Sequence, residues 1–254
     1  MKKQLHFTIN QKGGCGKTHL SFLLLSWAKR KDISSLGIDT DPNNSSLADY
    51  QGLPVKTIDI MDEEGLEILP QKWDKLIYYL LDDVEEEITV IDVGATAFGS
   101  LTAYLLTSNI FKEILNEKFN IYLNIPIVGG EALHDTLNGM SHLVNLFGED
   151  TNIILWKNEH FGKVIDEEGK GLEELEAYLS VKKSIDGIIH IKKMAMLNEL
   201  AIEKMKKSKL TYEEVLLNPA FQLLDKTRIN MVLNAAFAAM DLIFETPLVH
   251  EEKK

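Results

Sequence analysis

The run Asn10-Gln11-Lys12-Gly13-Gly14-Cys15-Gly16-Lys17-Thr18 leaves this chain few folds to choose from. Its end, Gly16-Lys17-Thr18, closes a phosphate-binding loop, whose ordinary form is Gly-x-x-x-x-Gly-Lys-Ser/Thr. Successive backbone N–H groups can wrap a polyphosphate only if side chains stay clear, so such loops use glycine. The loop must also run into a helix, whose free N–H groups and dipole favour an anion. One position departs from the ordinary form. Gln11 stands where the first glycine belongs, and Lys12 follows it, ahead of Gly13 and Gly14. An ammonium there is too far round the loop to share the work of Lys17, and is placed to reach a phosphate held by a second subunit.

The flanks fit a loop of this kind. Residues 4–10, apolar at Leu5, Phe7 and Ile9, predict a buried strand, and residues 20–30 predict a helix with a broad apolar face and a basic end. In that order of elements Lys17 binds the β and γ phosphates and the Thr18 hydroxyl binds Mg²⁺. Two more apolar segments predict strands that deliver acids: residues 33–38 precede Asp39-Thr40-Asp41-Pro42, and residues 88–92 end in Asp92. Parallel sheets hold ligands at the carboxyl ends of their strands, so three carboxylates are expected to converge on the loop. Asp92 is expected to hold Mg²⁺ through water, Asp39 to support the metal, and Asp41 to orient the attacking water. By itself Asp-x-Asp-Pro also reads as a turn.

Lys12-Gly13-Gly14-x-Gly16-Lys17-Thr18, Asp39-x-Asp41-Pro42 and the strand ending at Asp92 resemble the deviant phosphate-loop ATPases of the ParA/MinD type. The resemblance implies an ATP-sandwich homodimer in which Lys12 crosses the interface to the partner's phosphates. It implies Asp41 as the hydrolytic aspartate and Asp92 as the acid on the Mg²⁺ side. It also implies a nucleotide cradled by Gly13, Gly14, Cys15, Gly16, Lys17, Thr18 and His19, with Asn158 hydrogen-bonding adenine. Three further segments, 91–96, 129–136 and 155–162, resemble the TraL/StbB branch, which implies a role in plasmid transfer or stable inheritance and a plasmid-encoded partner protein. The chain departs from the pattern twice: Val93-Gly94-Ala95 follows Asp92 where prolines are usual, and His19 follows Thr18 where a second threonine is usual.

Alternating strand-like and helix-like segments with no linker, across 254 residues, predict one three-layer α/β/α domain, 1–254, with a mostly parallel twisted sheet. Few residues precede the first strand, so no upstream DNA-binding helix-turn-helix is expected. No signal peptide or membrane span is expected either. A single cysteine excludes internal disulfides, fits a reducing cytoplasmic setting and argues against an iron–sulfur reductase of similar loop sequence. Cys15 lies near a helix N-terminus, where a thiol can be acidified, although a small side chain that fits the loop is the plainer reading. His134 and His142 could share a helix face but lack the companions of a metal site.

A net charge of −12 opposes general DNA coating. The basic stretch Lys192, Lys193, Lys204, Lys206, Lys207 and Lys209, around a helix predicted from Ala195 onward, is the candidate surface for nonspecific DNA. Glu199 and Glu203 interleave with it. Residues 227–244 predict an apolar, core-packing helix, which could also bury against a partner, unlike a basic amphipathic membrane anchor, so no direct membrane binding is expected. An amidoligase or small-molecule kinase of similar fold, and a nucleotide-bound scaffold that scarcely hydrolyses, stand as alternatives.

Overall fold

A computed structural model describes residues 2–41, 46–64 and 67–244. Pro42 of the acidic segment and the tail after Pro247 lie outside the described residues. Seven strands form one sheet: β1 (Lys3–Thr8), β2 (Ser35–Asp39), β3 (Val55–Thr57), β4 (Ile88–Asp92), β5 (Phe119–Val128), β6 (Asn152–Asn158) and β7 (Ile185–Ile191). Nine α-helices accompany them among the described residues: α1 (Lys17–Arg30), α2 (Pro70–Asp82), α3 (Phe98–Thr107), the single turn α4 (Asn116–Lys118), α5 (Leu133–Phe147), α6 (Glu176–Val181), α7 (Met196–Lys207), α8 (Tyr212–Leu217) and α9 (Leu223–Phe244). The sheet order is β3-β2-β4-β1-β5-β6-β7. Every strand pairing in it is parallel, so the mostly parallel sheet expected from sequence is wholly parallel over the described strands.

A parallel sheet has to be covered on both faces, because its crossover helices lie there, and its strands therefore read as continuous apolar runs. Here Ile88, Val90 and Trp156 pack with α1, α7, α8 and α9 on one face. Leu5, Phe7, Ile91 and Leu155 pack with α2, α3, α5 and α6 on the other. Adjacent positions on one strand thus feed opposite cores, as the two-residue period of a strand dictates. The second strand begins at Ser35 rather than Ile33 and runs to Asp39, so the first acid is the last residue of the strand itself. The chain steps from β1 through α1 towards the β2 side of the sheet, then returns after β4 to place β5 on the other side of β1. That reversal leaves a crevice at the carboxyl ends of β1, β4 and β5, where open α/β sheets take ligands.

Beneath α1 and α9 the sheet buries a histidine. His6 is fully enclosed, stacked on Tyr122 with ring centroids 4.7 Å apart, and bonded to Gln4 (3.0 Å) and Asn124 (3.3 Å). Burial lowers its pKa from 6.5 to about 3, so the folded state keeps it neutral where the unfolded chain would protonate. This group's contribution to stability is therefore lost as pH falls below 6.5 towards 3. The loss should total roughly 2–3 kcal/mol between pH 6 and pH 4, at about 1.4 kcal/mol per pH unit. Asp92, raised to about 6, titrates in the opposing direction over part of that range. The measurement is accordingly a difference: urea denaturation of wild type and His6→Gln at a series of pH values, with the wild type losing stability more steeply in acid. Parallel curves would exclude this origin.

Candidate functional site

The loop between β1 and α1 is shaped by two left-handed glycines, Gly14 (φ 73°) and Gly16 (φ 101°). Other residues enter that region only with strain, so these two set the curve that turns backbone N–H groups inward. Asn10 anchors the start of the loop. It is fully buried, its Nδ2 donates to the carbonyls of Pro126 (3.1 Å) and Thr136 (3.2 Å), and its Oδ1 accepts from the Lys12 N–H (3.1 Å). The two lysines are held differently. Lys17 is buried and its Nζ donates to the Lys12 carbonyl at 2.9 Å, inside the loop. Lys12 reaches outward, and its Nζ lies 2.7 Å from Asp135 Oδ2 on α5, a pair open to solvent on both sides. The hydrogen bond and charge of Asp135 raise the Lys12 pKa, so the ammonium stays charged. Cys15 is buried, with Sγ 3.1 Å from the Lys12 carbonyl, and burial pushes its thiol up. The acidified thiol considered from sequence is therefore not what the fold makes: desolvation outweighs the neighbouring Lys17.

Three parallel strands place a polar row across the crevice, since Thr8, Asp92 and Asp39 are register partners on β1, β4 and β2. Asp92 is buried and accepts from Thr8 Oγ1 at 3.0 Å, and the hydroxyls of Thr18 and Ser21 nearby also favour its charged form. Burial, with the nearby Asp39, raises its pKa to about 6 against those hydroxyls. Asp39 is fully buried, and its two oxygens accept the N–H groups of Asp41 (3.1 Å), Leu47 (3.0 Å) and Ala48 (3.2 Å). Its direct work is thus to hold Asp41 on one side, and Leu47 and Ala48 on the other, of the segment that follows β2. Ser46 Oγ lies 3.4 Å from Thr18 Oγ1.

Asp41 packs on Gly94, and here the unusual Val93-Gly94-Ala95 acquires a physical reason. A Cβ at position 94 would lie 2.8 Å from Asp41 Cγ and 3.0 Å from its Cα. Backbone as well as side chain would have to move, so Gly94→Ala should displace Asp41. Overpacking of this kind costs roughly 1–3 kcal/mol. On the sequence expectation that Asp41 orients the attacking water of an ATPase, the variant should lose at least about tenfold in ATP turnover, as misplacement of such a group does. A steady-state assay that finds wild-type turnover would separate Asp41 from the chemistry.

Asn158, the last residue of β6, is buried, with its Oδ1 accepting from the His160 N–H (3.1 Å). Its Nδ2 stands 3.1 Å from where a Gly16 Cβ would be, so β6 does end against the loop. His19 turns its ring onto Phe22, and its buried Nδ1 has no protein partner among the described residues. His142 packs against Phe98, and among the described residues no group of three or more His, Cys, Asp or Glu is arranged to hold a metal. Of the candidate DNA lysines, Lys204 is paired with Asp225 and Lys209 with Asp49 and the Ser46 carbonyl. Lys206 is half-buried with its pKa lowered to about 8, mainly by desolvation. Lys192, Lys193 and Lys207 face solvent. Thr8 was not singled out from sequence, and Asn10, Gly94 and Asp135 stood there only as members of longer segments, without a role of their own. Only a contact between distant segments gives each its role, although the polar Thr8 in an apolar strand was a visible signal.

Residues 6–235 match the family described as the CobQ/CobB/MinD/ParA nucleotide binding domain. The chain belongs to that family. Two Escherichia coli proteins named TraL are similar to it at 29% and 28% identity, each over 94% of this chain and 97% of the relative. Among solved structures, a putative plasmid partition protein from Borrelia burgdorferi bound to AMPPNP has TM-score 0.56 at 15% identity, covering 96% of this chain and 99% of that one. The cell division ATPase MinD of Pyrococcus furiosus has TM-score 0.52 at 14% identity, covering 95% and 98%. These structural likenesses concern the fold. For a family member that uses Mg²⁺, the residues present fit. Mg²⁺ keeps most of its waters and takes one or two protein oxygens plus phosphate, not an all-protein cage. The Thr18 hydroxyl and the buried Asp92 carboxylate, close enough for Thr18 to hold the carboxyl pKa down against burial, are such a pair. Among the described residues no ion pair neutralises the buried Asp92 carboxylate, and a bound cation would do so.

Proposed function

We propose that residues 1–254 act as one ATP-hydrolysing switch unit, cytoplasmic, serving plasmid partition or conjugal transfer and dimerising face to face on ATP. The observation that carries this reading is the unequal holding of the two lysines, Lys17 inside the loop and Lys12 outside it on an exposed ion pair. An internal ammonium suits the chain's own phosphates. An ammonium tethered only by a solvent-exposed carboxylate can leave for a phosphate presented by a second subunit. Gly13, Gly14, Cys15, Gly16, Lys17, Thr18 and His19 surround the phosphates in this reading, and Asn158 meets the adenine. Thr18 and Asp92 would hold Mg²⁺, which would neutralise phosphate charge when bound, and Asp39 would support them through the backbone groups of Asp41, Leu47 and Ala48 that it holds. Asp41, seated on Gly94, orients the attacking water. The γ-phosphate then provides the free-energy difference between open and closed states, and its loss reopens the dimer. A plasmid-encoded protein reads that state, as the TraL relatives suggest. Nonspecific DNA contact falls to the exposed Lys192, Lys193 and Lys207.

The test is ATP turnover by the purified chain with Mg²⁺ and no metabolite, beside light scattering with ATP, ADP and a non-cleavable analogue. The switch requires basal hydrolysis and a scattering rise with the analogue but not with ADP. Turnover only when a small acceptor is added would replace it with a ligase or kinase. Binding without single-turnover hydrolysis would leave the scaffold. Retention on DNA that declines with salt would support the lysine surface, and no retention would remove it.

A further inference from the structure

Helix α9 is apolar on a side that the described residues leave open to solvent. Its inner face, Ile229, Leu233, Phe237, Met240 and Phe244, docks on β7, α7 and α1. Its outer face carries Leu224, Met231, Ala235, Ala238 and Leu242, all exposed, with the three large side chains 62%, 60% and 75% open to solvent. By length and hydropathy the helix could cross a membrane, yet its inner face is already committed to the sheet. A helix apolar all round is normally covered all round.

We propose that this face pairs with the same face of a second copy, antiparallel, in the absence of nucleotide. The spacing of the stripe supports this occupant. In an antiparallel pair centred at the level of residue 233, Met231 meets the second copy's Ala235 and Leu224 meets its Leu242, because both pairs have that midpoint. At the centre a large side chain therefore falls against a small one, which is how facing helices interdigitate. A two-fold pairing of one patch on itself also closes without further growth. Of the nearby charges, Arg30 is bound to Asn230 and Asn234, and Asp241 to Trp27 and Lys31. Arg228 lies in the stripe between Leu224 and Met231, and the same midpoint sets it level with the second copy's Ala238, a small residue past which its stem can carry the guanidinium to solvent. The basic polar face with which an interfacial helix meets anionic lipid is missing, since α9 carries only Lys226 and Arg228, near one end. Two such stripes, extended by the exposed Leu223, bury on the order of 1,000 Å², at the low end for a specific contact, so the pair should be weak and concentration-dependent.

Sedimentation equilibrium of the full chain without nucleotide tests this. A monomer–dimer equilibrium in the micromolar range is expected. It should be unchanged in Lys12→Ala, which separates it from the ATP-driven dimer, and weakened at least tenfold in Met231→Glu. The double variant Met231→Cys, Ala235→Cys should form intermolecular disulfides under mild oxidation, and the exchange Met231→Ala with Ala235→Met should preserve the dimer. A monomer at all concentrations, a dimer indifferent to Met231→Glu, or sedimentation of the protein with neutral phosphatidylcholine vesicles in place of self-association would each overturn it.

Discussion

Lys12→Ala is expected to abolish ATP-dependent dimerisation at micromolar protein while leaving the fold and ADP binding nearly intact. The reason is positional. Lys12 donates to no group of its own loop: its ammonium spends itself on Asp135, and the loop's internal cation is Lys17. Removing it should therefore spare the monomer's own phosphate site. A cation supplied in trans to a transferring phosphoryl group contributes about 10³-fold or more to its rate, so turnover should fall by roughly that factor. Lys17→Ala should instead lose nucleotide binding itself. Asp135→Asn releases the same ammonium and should shift dimerisation the opposite way. Light scattering with a non-cleavable ATP analogue reads all three, and an undiminished signal in Lys12→Ala would refute the exchange of lysines.

Asp41→Asn should give the complementary phenotype, hydrolysis slowed by about 10²- to 10⁴-fold with the ATP dimer still populated. Its backbone N–H is bound by Asp39 and its side chain rests against Gly94, so the substitution keeps the local shape while removing the negative charge. Slow hydrolysis with intact dimer would appear as a scattering signal that ATP raises and that no longer decays. If single-turnover hydrolysis in this variant matches wild type, Asp41 has no part in activating water, and Gly94 is a packing residue only.

The phosphate loop, its flanking strand and helix, and the strand ending at Asp92 were legible because each is a local pattern: fixed spacing, alternating burial, an acid at a strand terminus. Strand ends were less legible. Residues 33–38 are apolar enough to suggest a strand from Ile33, but pairing with β4 begins at Ser35, and pairing rather than composition decides where a strand starts. The lysine stretch is less uniform than its sequence suggests, for the same kind of reason. Lys204, Lys206 and Lys209 look alike in sequence, yet Lys204 pairs with Asp225, Lys209 with Asp49, and Lys206 is half-buried, while the exposed Lys207 pairs with Glu203. Residues 227–244 read as a core-packing helix that could also bury against a partner, because their composition is apolar; the fold extends the helix to Leu223–Phe244 and shows which side the described residues leave uncovered.

Sequence by itself determined that a phosphate loop would stand between a buried strand and a helix, with acids at neighbouring strand ends, because glycine freedom, helix dipoles and two-residue periodicity act over a few residues. Tertiary structure decided which cation is internal and which is tethered outside. It also decided that Asp39 holds the backbone of Asp41, Leu47 and Ala48 and that Gly94 makes room for Asp41. Those outcomes depend on approaches between segments dozens of residues apart, and no local pattern encodes a distance of 2.7 Å between Lys12 and Asp135.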